Sequence, residues 1–287
     1  MKRFLKWTAI SLGSLIAVLL VVIYGVSEIK LRQRYDVAAT PIPVSTDSFV
    51  IARGKHIALT RGCANCHGDN LEGKVFFDEP MLARLVAPNL TKLVREYSEP
   101  ELARAIRHGV KRNGTSVAVM PSSMLYHLSD DDVGALIAYL KTVPATESTL
   151  PGNSMRLLAR VGLVTGQYHT EASVIDHDAP RLPEGNEADL GTRGRYLAKS
   201  SCTECHGQDF KGGGGGPAPS PALSVVQAYS AEEFARLMRD GVPRDGRKLG
   251  VMGDVARSRF SQFTDAEVAA VYVYLHGGAS EATSAAR

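Results

Sequence analysis

Two short stretches hold all four cysteines of the chain, and in each stretch a histidine follows the second cysteine directly. The residues are Cys63, Cys66 and His67 in RGCANCHGDN (61–70), and Cys202, Cys205 and His206 in SSCTECHGQDF (200–210). Three chemistries use this spacing: half of a zinc site, a redox-active disulfide, and the covalent anchor of a c-type haem.

Haem attachment accounts for every residue of the pattern. A zinc site draws its cysteine pairs from nearby sequence, whereas Cys63 and Cys202 are 139 positions apart. A redox disulfide follows a strand in an α/β pattern and gives no reason for the adjacent histidine. Two thiols on one helical turn can instead add to the two vinyl groups of one porphyrin edge, with the histidine beneath the ring. We therefore predict two covalently bound haem c groups, with His67 and His206 as iron ligands.

The second half of the chain repeats the first. YSEPELARAIRHGV (97–110) matches YSAEEFARLMRDGV (229–242) at eight of fourteen positions, and LSDDDVGALIAYL (128–140) matches FTDAEVAAVYVYL (263–275). These blocks follow the two cysteine motifs in the same order. An internal duplication is therefore predicted, with two copies of one fold.

The repeated blocks have the pattern of capped, amphipathic helices. Ser98 and Ser230 precede a glutamate three residues later, which is the pattern of a capping box. Ser129 and Thr264 begin the closing blocks in the same way, and apolar residues then recur at helical spacing. No run of alternating strands is visible, so both halves are predicted to be mainly helical.

The N-terminal segment is apolar enough to cross a membrane. Residues 7–26 are uncharged and about 30 Å long as a helix, and the run ends without the small-x-small site of a cleaved signal peptide. We predict an uncleaved transmembrane anchor over 1–30, a juxtamembrane spacer over 31–46 and a linker over 144–187; a cleaved signal peptide is the alternative. Basic residues flank the run on both sides, so charge does not fix its orientation.

The two halves resemble class I cytochrome c domains over about 47–143 and 188–278. The resemblance rests on the GC..CHG block, the PNL sequence (88–90) and the closing helix pattern at 128–140. It implies an all-α fold class, with two tandem cytochrome c-like helical domains (47–143 and 188–280) after the N-terminal transmembrane helix.

The resemblance also implies particular contacts. The helix that holds Gly54 crosses the closing helix at Tyr139, and the second copy offers Gly194 and Tyr274 for the same crossing. The carbonyl of Pro88 is expected to accept a hydrogen bond from His67. Pro221, in the sequence PAL, is the expected equivalent for His206.

The sixth iron ligand determines what each haem does, because a methionine thioether raises the potential for electron transfer and an open site invites other chemistry. Met120, followed by a proline eight residues before the closing helix, resembles the distal methionine of the family, and Met252 occupies the corresponding stretch of the second half. Met124 is the rival of Met120, and Met81 and Met238 fit less well. His108 and His127 are expected to be surface or cap residues, and the other histidines outside the two motifs fit the sixth-ligand position even less well.

The predicted protein is a dihaem cytochrome in the bacterial inner membrane, with a single span and its globular part in the periplasm. It would relay single electrons between a dehydrogenase or quinol-side donor and a terminal acceptor, with an oxidase or a soluble cytochrome as the further partner. The alternatives are a peroxidase-like or thiosulfate-oxidising dihaem enzyme with one open haem, and a redox or gas sensor. The net charge of +3, with scattered basic residues, excludes a nucleic-acid partner.

Overall fold

The structure is a computed structural model that describes residues 1–213 and 219–277. The last three residues of the predicted second domain, 278–280, lie outside the described residues. The chain begins with α1 (Lys2–Leu31), a helix of 30 residues whose apolar length and composition would suit a membrane span.

Each half of the chain forms a set of packed helices. The first copy contains α2 (Ser48–Thr60), α3 (Cys63–His67), α4 (Leu90–Glu96), α5 (Glu99–His108), α6 (Ser122–Leu125) and α7 (Asp130–Thr142). The second copy contains α9 (Leu190–Lys199), α10 (Thr203–His206), α11 (Ala231–Asp240), α12 (Val251–Ser258) and α13 (Asp265–His276), with α8 (Leu157–Thr165) between the copies. Short 3₁₀ turns lie at Glu171–Ser173, Leu223–Ala228 and Phe260–Gln262. The predicted all-α fold class is confirmed.

The helices begin where the sequence predicts, because the capping side chains satisfy backbone groups that lack a helical partner. The Ser98 nitrogen donates to the Glu101 carboxylate over 2.8 Å at the start of α5. At the start of α11, the Ser230 nitrogen donates to Glu233 over 2.9 Å, and a third capping box opens α13 at Thr264. The matched caps start α5 and α11, and α7 and α13, at equivalent residues of the two copies.

Both copies are held together by a close crossing of two helices at a glycine. A Cβ atom on Gly54 of α2 would lie 1.9 Å from the carbonyl oxygen of Ala135 in α7, and one on Gly194 of α9 would lie 2.0 Å from that of Ala270 in α13. Only glycine allows the backbones to approach this closely. The expected crossings at Tyr139 and Tyr274 are present.

A small antiparallel sheet is added to the first copy. It consists of β1 (Lys74–Glu79), β2 (Ala83–Ala87) and β3 (Ser154–Met155), in the order β1-β2-β3. Side chains of β1 are almost all exposed, and an irregularity interrupts the pairing register between Val75 and Phe77. Because one face is not buried, these strands lack the alternation that would reveal them in the sequence.

The predicted spacer and linker both pack against the first copy. The carbonyl oxygen of Pro43 lies only 1.9 Å from the position that a Cβ atom on Gly134 would take. In the linker, α8 packs against the end of α1, where the Arg160 guanidinium donates to Ser27 over 2.8 Å and lies above the ring of Tyr24. These contacts join the apolar helix to α8 and the spacer to α7.

Candidate haem-attachment sites

The first cysteine motif forms a single turn directly after α2. Gly62 has a left-handed backbone with a φ of 73°, which turns the chain from α2 into α3. Cys63 and Cys66 therefore lie on one helical turn, and they are not joined in a disulfide. His67 ends this turn and is 8% exposed.

The ring of His67 is oriented by one hydrogen bond. Its Nδ1 donates to the carbonyl oxygen of Pro88 over 2.9 Å. Because a carbonyl oxygen can only accept, Nδ1 carries the proton and Nε2 has a free lone pair. Desolvation by the surrounding protein lowers the pKa of His67, which favours the neutral ring that binds a metal.

The second motif has the same arrangement. Cys202 immediately precedes α10 and Cys205 lies within it, and His206 is the last residue of this helix. The Nδ1 of His206 donates to the carbonyl oxygen of Pro221 over 2.8 Å, and desolvation again lowers the pKa of the ring. Both hydrogen bonds that the resemblance implies are therefore present.

The donor set of each motif fits a covalently attached haem. Each motif supplies two unpaired thiols one turn apart and an imidazole whose Nε2 has no hydrogen-bond partner among the described residues. Desolvation raises the pKa of the Cys63 thiol to about 11 and that of Cys202 to about 12. Within residues 1–213 and 219–277, no three His, Cys, Asp or Glu side chains are grouped as a metal site would require. The motifs are thus suited to a preformed metal complex rather than to a bare ion.

The methionines differ in their surroundings. Met120 is half-buried in the segment that leads through Pro121 into α6, whereas Met124 within α6 is fully buried among core residues. Met124 is therefore accounted for by packing. Met252 lies on α12, half-buried against the core, and Met238 of α11 is a core residue, as expected.

Other histidines have partners elsewhere in the fold. The rings of His108 and His177 face each other with their Nδ1 atoms 3.0 Å apart, and His127 pairs with Gln208. The ring of His276 stacks on Tyr272. The partner of His127 lies two residues after His206, within the stretch that holds the second motif, whereas the other three histidines contact residues outside both stretches.

The surroundings of the two motifs are in contact with each other, which the sequence does not indicate. The Arg61 guanidinium, just before the first motif, donates to Ser200 over 3.0 Å, just before the second. Asn65, between the cysteines of the first motif, donates to Ser258 at the end of α12 over 3.1 Å.

A match to a family model agrees with this geometry. The model of the cytochrome c family matches residues 51–144 and 191–278, and each region contains one of the two motifs. The two regions define a protein of two tandem cytochrome c domains. The chain belongs to the cytochrome c family and carries two covalently bound haem c groups.

Curated relatives include cytochrome subunits of dehydrogenases. The chain is 24% identical to the fructose dehydrogenase cytochrome subunit of Gluconobacter japonicus, over 85% of this chain and 56% of that protein. It is 26% identical to the cytochrome c subunit of a quinone alcohol dehydrogenase of Komagataeibacter europaeus, over 83% and 57%. A diheme cytochrome c-type protein of Cereibacter sphaeroides is 25% identical, over 81% and 90%. The chain thus spans little more than half the length of the two dehydrogenase subunits.

Proposed function

We propose that the chain is a membrane-anchored dihaem cytochrome that relays single electrons between a dehydrogenase or quinol-side donor and a terminal acceptor. The observation that carries this proposal is the hydrogen bond from Arg61 to Ser200, residues that stand just before the first and the second cysteine motif. Because the segments that lead into the two attachment turns are in direct contact, an electron that reaches either domain has a short path to the other.

We assign the haem-binding residues as follows. The covalent anchors are Cys63 and Cys66 in the first domain and Cys202 and Cys205 in the second; the proximal ligands are His67 and His206, oriented by Pro88 and Pro221; and the distal ligands are Met120 and Met252. In support, each histidine ring holds its proton on Nδ1 and leaves Nε2 free for iron. A hydrogen bond on the far nitrogen also fixes the ring and raises its basicity as a ligand.

When bound, the haem would supply an iron that gains and loses one electron reversibly, without making or breaking a bond to a substrate. The chain's own contribution is to hold the imidazole rigidly and to exclude water. Both proximal histidines are 8% exposed, and such burial and axial ligation set the potential. This arrangement suits electron transfer.

The names of the relatives support a dehydrogenase as the donor. Fructose, gluconate and quinone alcohol dehydrogenases each have a cytochrome subunit that this chain resembles. We propose that a dehydrogenase delivers electrons to this chain and that a terminal oxidase or a soluble cytochrome removes them.

The anchor and the location are part of the same proposal. Residues 1–30 would span the bacterial inner membrane once, with the spacer 31–46, the domains 47–143 and 188–280 and the linker 144–187 in the periplasm. In support, α1 is long and apolar enough for a span, and c-type haem is attached outside the cytoplasmic membrane in this family. Arg160 and Lys30 join the end of α1 to α8.

One observation favours a second candidate, a dihaem oxidoreductase with an open second haem, peroxidase-like or thiosulfate-oxidising. Met252 lies inside a helix and packs against the core, whereas Met120 precedes its helix. A methionine held by core packing is less free to reach the iron. The sixth coordination position of the second haem would then be the open one.

An absorption spectrum of the purified protein tests the two candidates. The reduced protein is measured with and without carbon monoxide, and a pyridine haemochrome assay counts the covalent haems. Two low-spin haems that do not react with carbon monoxide support the relay. One haem that binds carbon monoxide supports the oxidoreductase, and fewer than two covalent haems would contradict both.

A further inference from the structure

Arg259 touches both haem-attachment turns at once. It follows the last residue of α12, in the second domain, and its Nη1 donates to the Glu204 carboxylate over 2.9 Å. Glu204 stands between Cys202 and Cys205. On its other side, the Nε of Arg259 lies 2.1 Å from where a Cβ of Gly62 would be, so the side chain packs directly on the residue before Cys63.

The guanidinium charge acts on both motifs. Arg259 is hydrogen-bonded to Glu204 within the second motif and packs on Gly62 next to the first, so its charge lies beside both attachment turns. The side chain of Arg259 is only 12% exposed, so water and salt screen its charge less than at the surface.

The position has no charged equivalent in the first domain. Arg259 lies five residues before Thr264, the N-cap of the closing helix, and Met124 lies five residues before Ser129 in the first domain. Met124 is fully buried in the core. Only the second domain therefore supplies an arginine that contacts both attachment turns, and the two copies differ at this position.

The same helix also carries the proposed distal ligand of the second haem. Met252 lies near the start of α12, and Ser258 at its end bonds to Asn65 within the first motif. The helix thus connects the distal side of one haem site to the attachment turn of the other.

We propose that Arg259 is a positioning residue that locks the two haem-attachment turns together, and that its charge raises the reduction potential of both haems. This inference rests on the proposed electron relay. A fixed positive charge favours the reduced state, because reduction removes one positive charge from the iron site. Removal of the charge also leaves Glu204 unpaired beside the second motif, and the negative charge lowers the potential further.

The test is a spectroelectrochemical titration of the full-length protein in detergent. Arg259→Gln is expected to lower both midpoint potentials. At a fixed applied potential, the ratio of oxidised to reduced haem should rise by about threefold to tenfold, and a tenfold change corresponds to about 59 mV for one electron. Arg259→Lys, which keeps the charge, should shift both midpoint potentials much less than Arg259→Gln does. Arg257→Gln is the matched control, because Arg257 is two residues away and 54% exposed, and it should leave both potentials unchanged.

Glu204→Gln gives an independent measurement in case Arg259→Gln does not mature. It should raise the potentials, that of the second haem most, because Glu204 lies within the second motif. Unchanged potentials in a two-haem Arg259→Gln protein, or in Glu204→Gln, would overturn the proposal. Failure of the relay itself has a separate signature, since the unmodified protein would then lack two covalent haems or fail to cycle reversibly.

Discussion

Tyr196 Oη lies 3.0 Å from the backbone nitrogen of Ser129, so a side chain of the second domain accepts a hydrogen bond from the N-cap of the closing helix of the first. In a capping box this nitrogen donates to the acidic side chain three residues later. Here that residue is Asp132, which instead accepts hydrogen bonds from Tyr196 and from Arg53. The tyrosine thus replaces part of the cap and ties the two domains together.

The reciprocal contact uses the equivalent residues. His56 occupies the position of Tyr196 in the first domain, and its Nε2 lies 2.8 Å from the carboxylate of Glu267, the equivalent of Asp132. Equivalent positions on the two copies therefore meet across the interface, as in a two-fold symmetric dimer. The duplication explains why one chain contains such an interface.

Met120→Ala should lower the potential of one haem and create a site that binds carbon monoxide, because loss of the thioether opens the sixth position. The measurement is a redox titration together with the reduced spectrum under carbon monoxide. Met124→Ala is the matched control. It should leave the haem spectra unchanged and cost about 2–5 kcal/mol of stability, since Met124 is fully buried. An unchanged spectrum in Met120→Ala would remove this residue as the ligand.

Cys202→Ser should give a protein that retains a single covalent haem or fails to mature, because one of the two thioether bonds of the second site is lost. Cys63→Ser should have the matching effect on the first site. The haem content per chain, measured as the pyridine haemochrome, distinguishes the outcomes. Normal two-haem content with both attachments intact would contradict the assignment of these cysteines.

Gly54→Ala should destabilise the first domain strongly, because the new Cβ would lie 1.9 Å from the carbonyl oxygen of Ala135. Overpacking typically costs about 1–3 kcal/mol, and a contact this short is expected at the upper end of that range. The melting temperature of the holoprotein measures the effect. Gly152→Ala is the control, because no atom lies within 4 Å of its Cβ position; equal melting temperatures for the two variants would disprove the close crossing.

The stability of the interface should fall in acid through Glu267. Desolvation alone would raise the pKa of this carboxyl, but hydrogen bonds from His56 and from the Thr264 nitrogen outweigh it and hold the pKa below its ordinary value of 4.5. A lowered folded-state pKa means that the stabilisation is complete above the unfolded value and is lost as the pH falls through the folded value.

Melting temperatures of the unmodified protein and of Glu267→Gln should therefore differ by a constant amount above about pH 5 and converge below it. Glu187→Gln, at an exposed position, is the control and should follow the unmodified protein throughout. A difference that persists unchanged to pH 3 would show that the carboxylate charge of Glu267 does not stabilise the interface.

Much of the site was open to prediction because it is encoded locally. The cysteine motif lies within one turn, and the capping boxes at Ser230 and Thr264 span four residues each, so spacing alone locates them. Gly54 and Tyr139 required the family resemblance, because their crossing joins distant parts of the chain. The small sheet escaped prediction because its strands are short and mostly exposed, without the alternation that one buried face imposes.

The sequence by itself determined that the chain is a duplicated helical protein, and it indicated the thiols and imidazoles that we propose as the attachment sites and ligands of the two haems. Only the tertiary structure decided how the duplicates face each other. Arg259, Glu204 and Tyr196 carry no local pattern, because their partners lie in the other domain or across a loop. A contact of this kind depends on the relative orientation of two folded units, which no periodicity along the chain records.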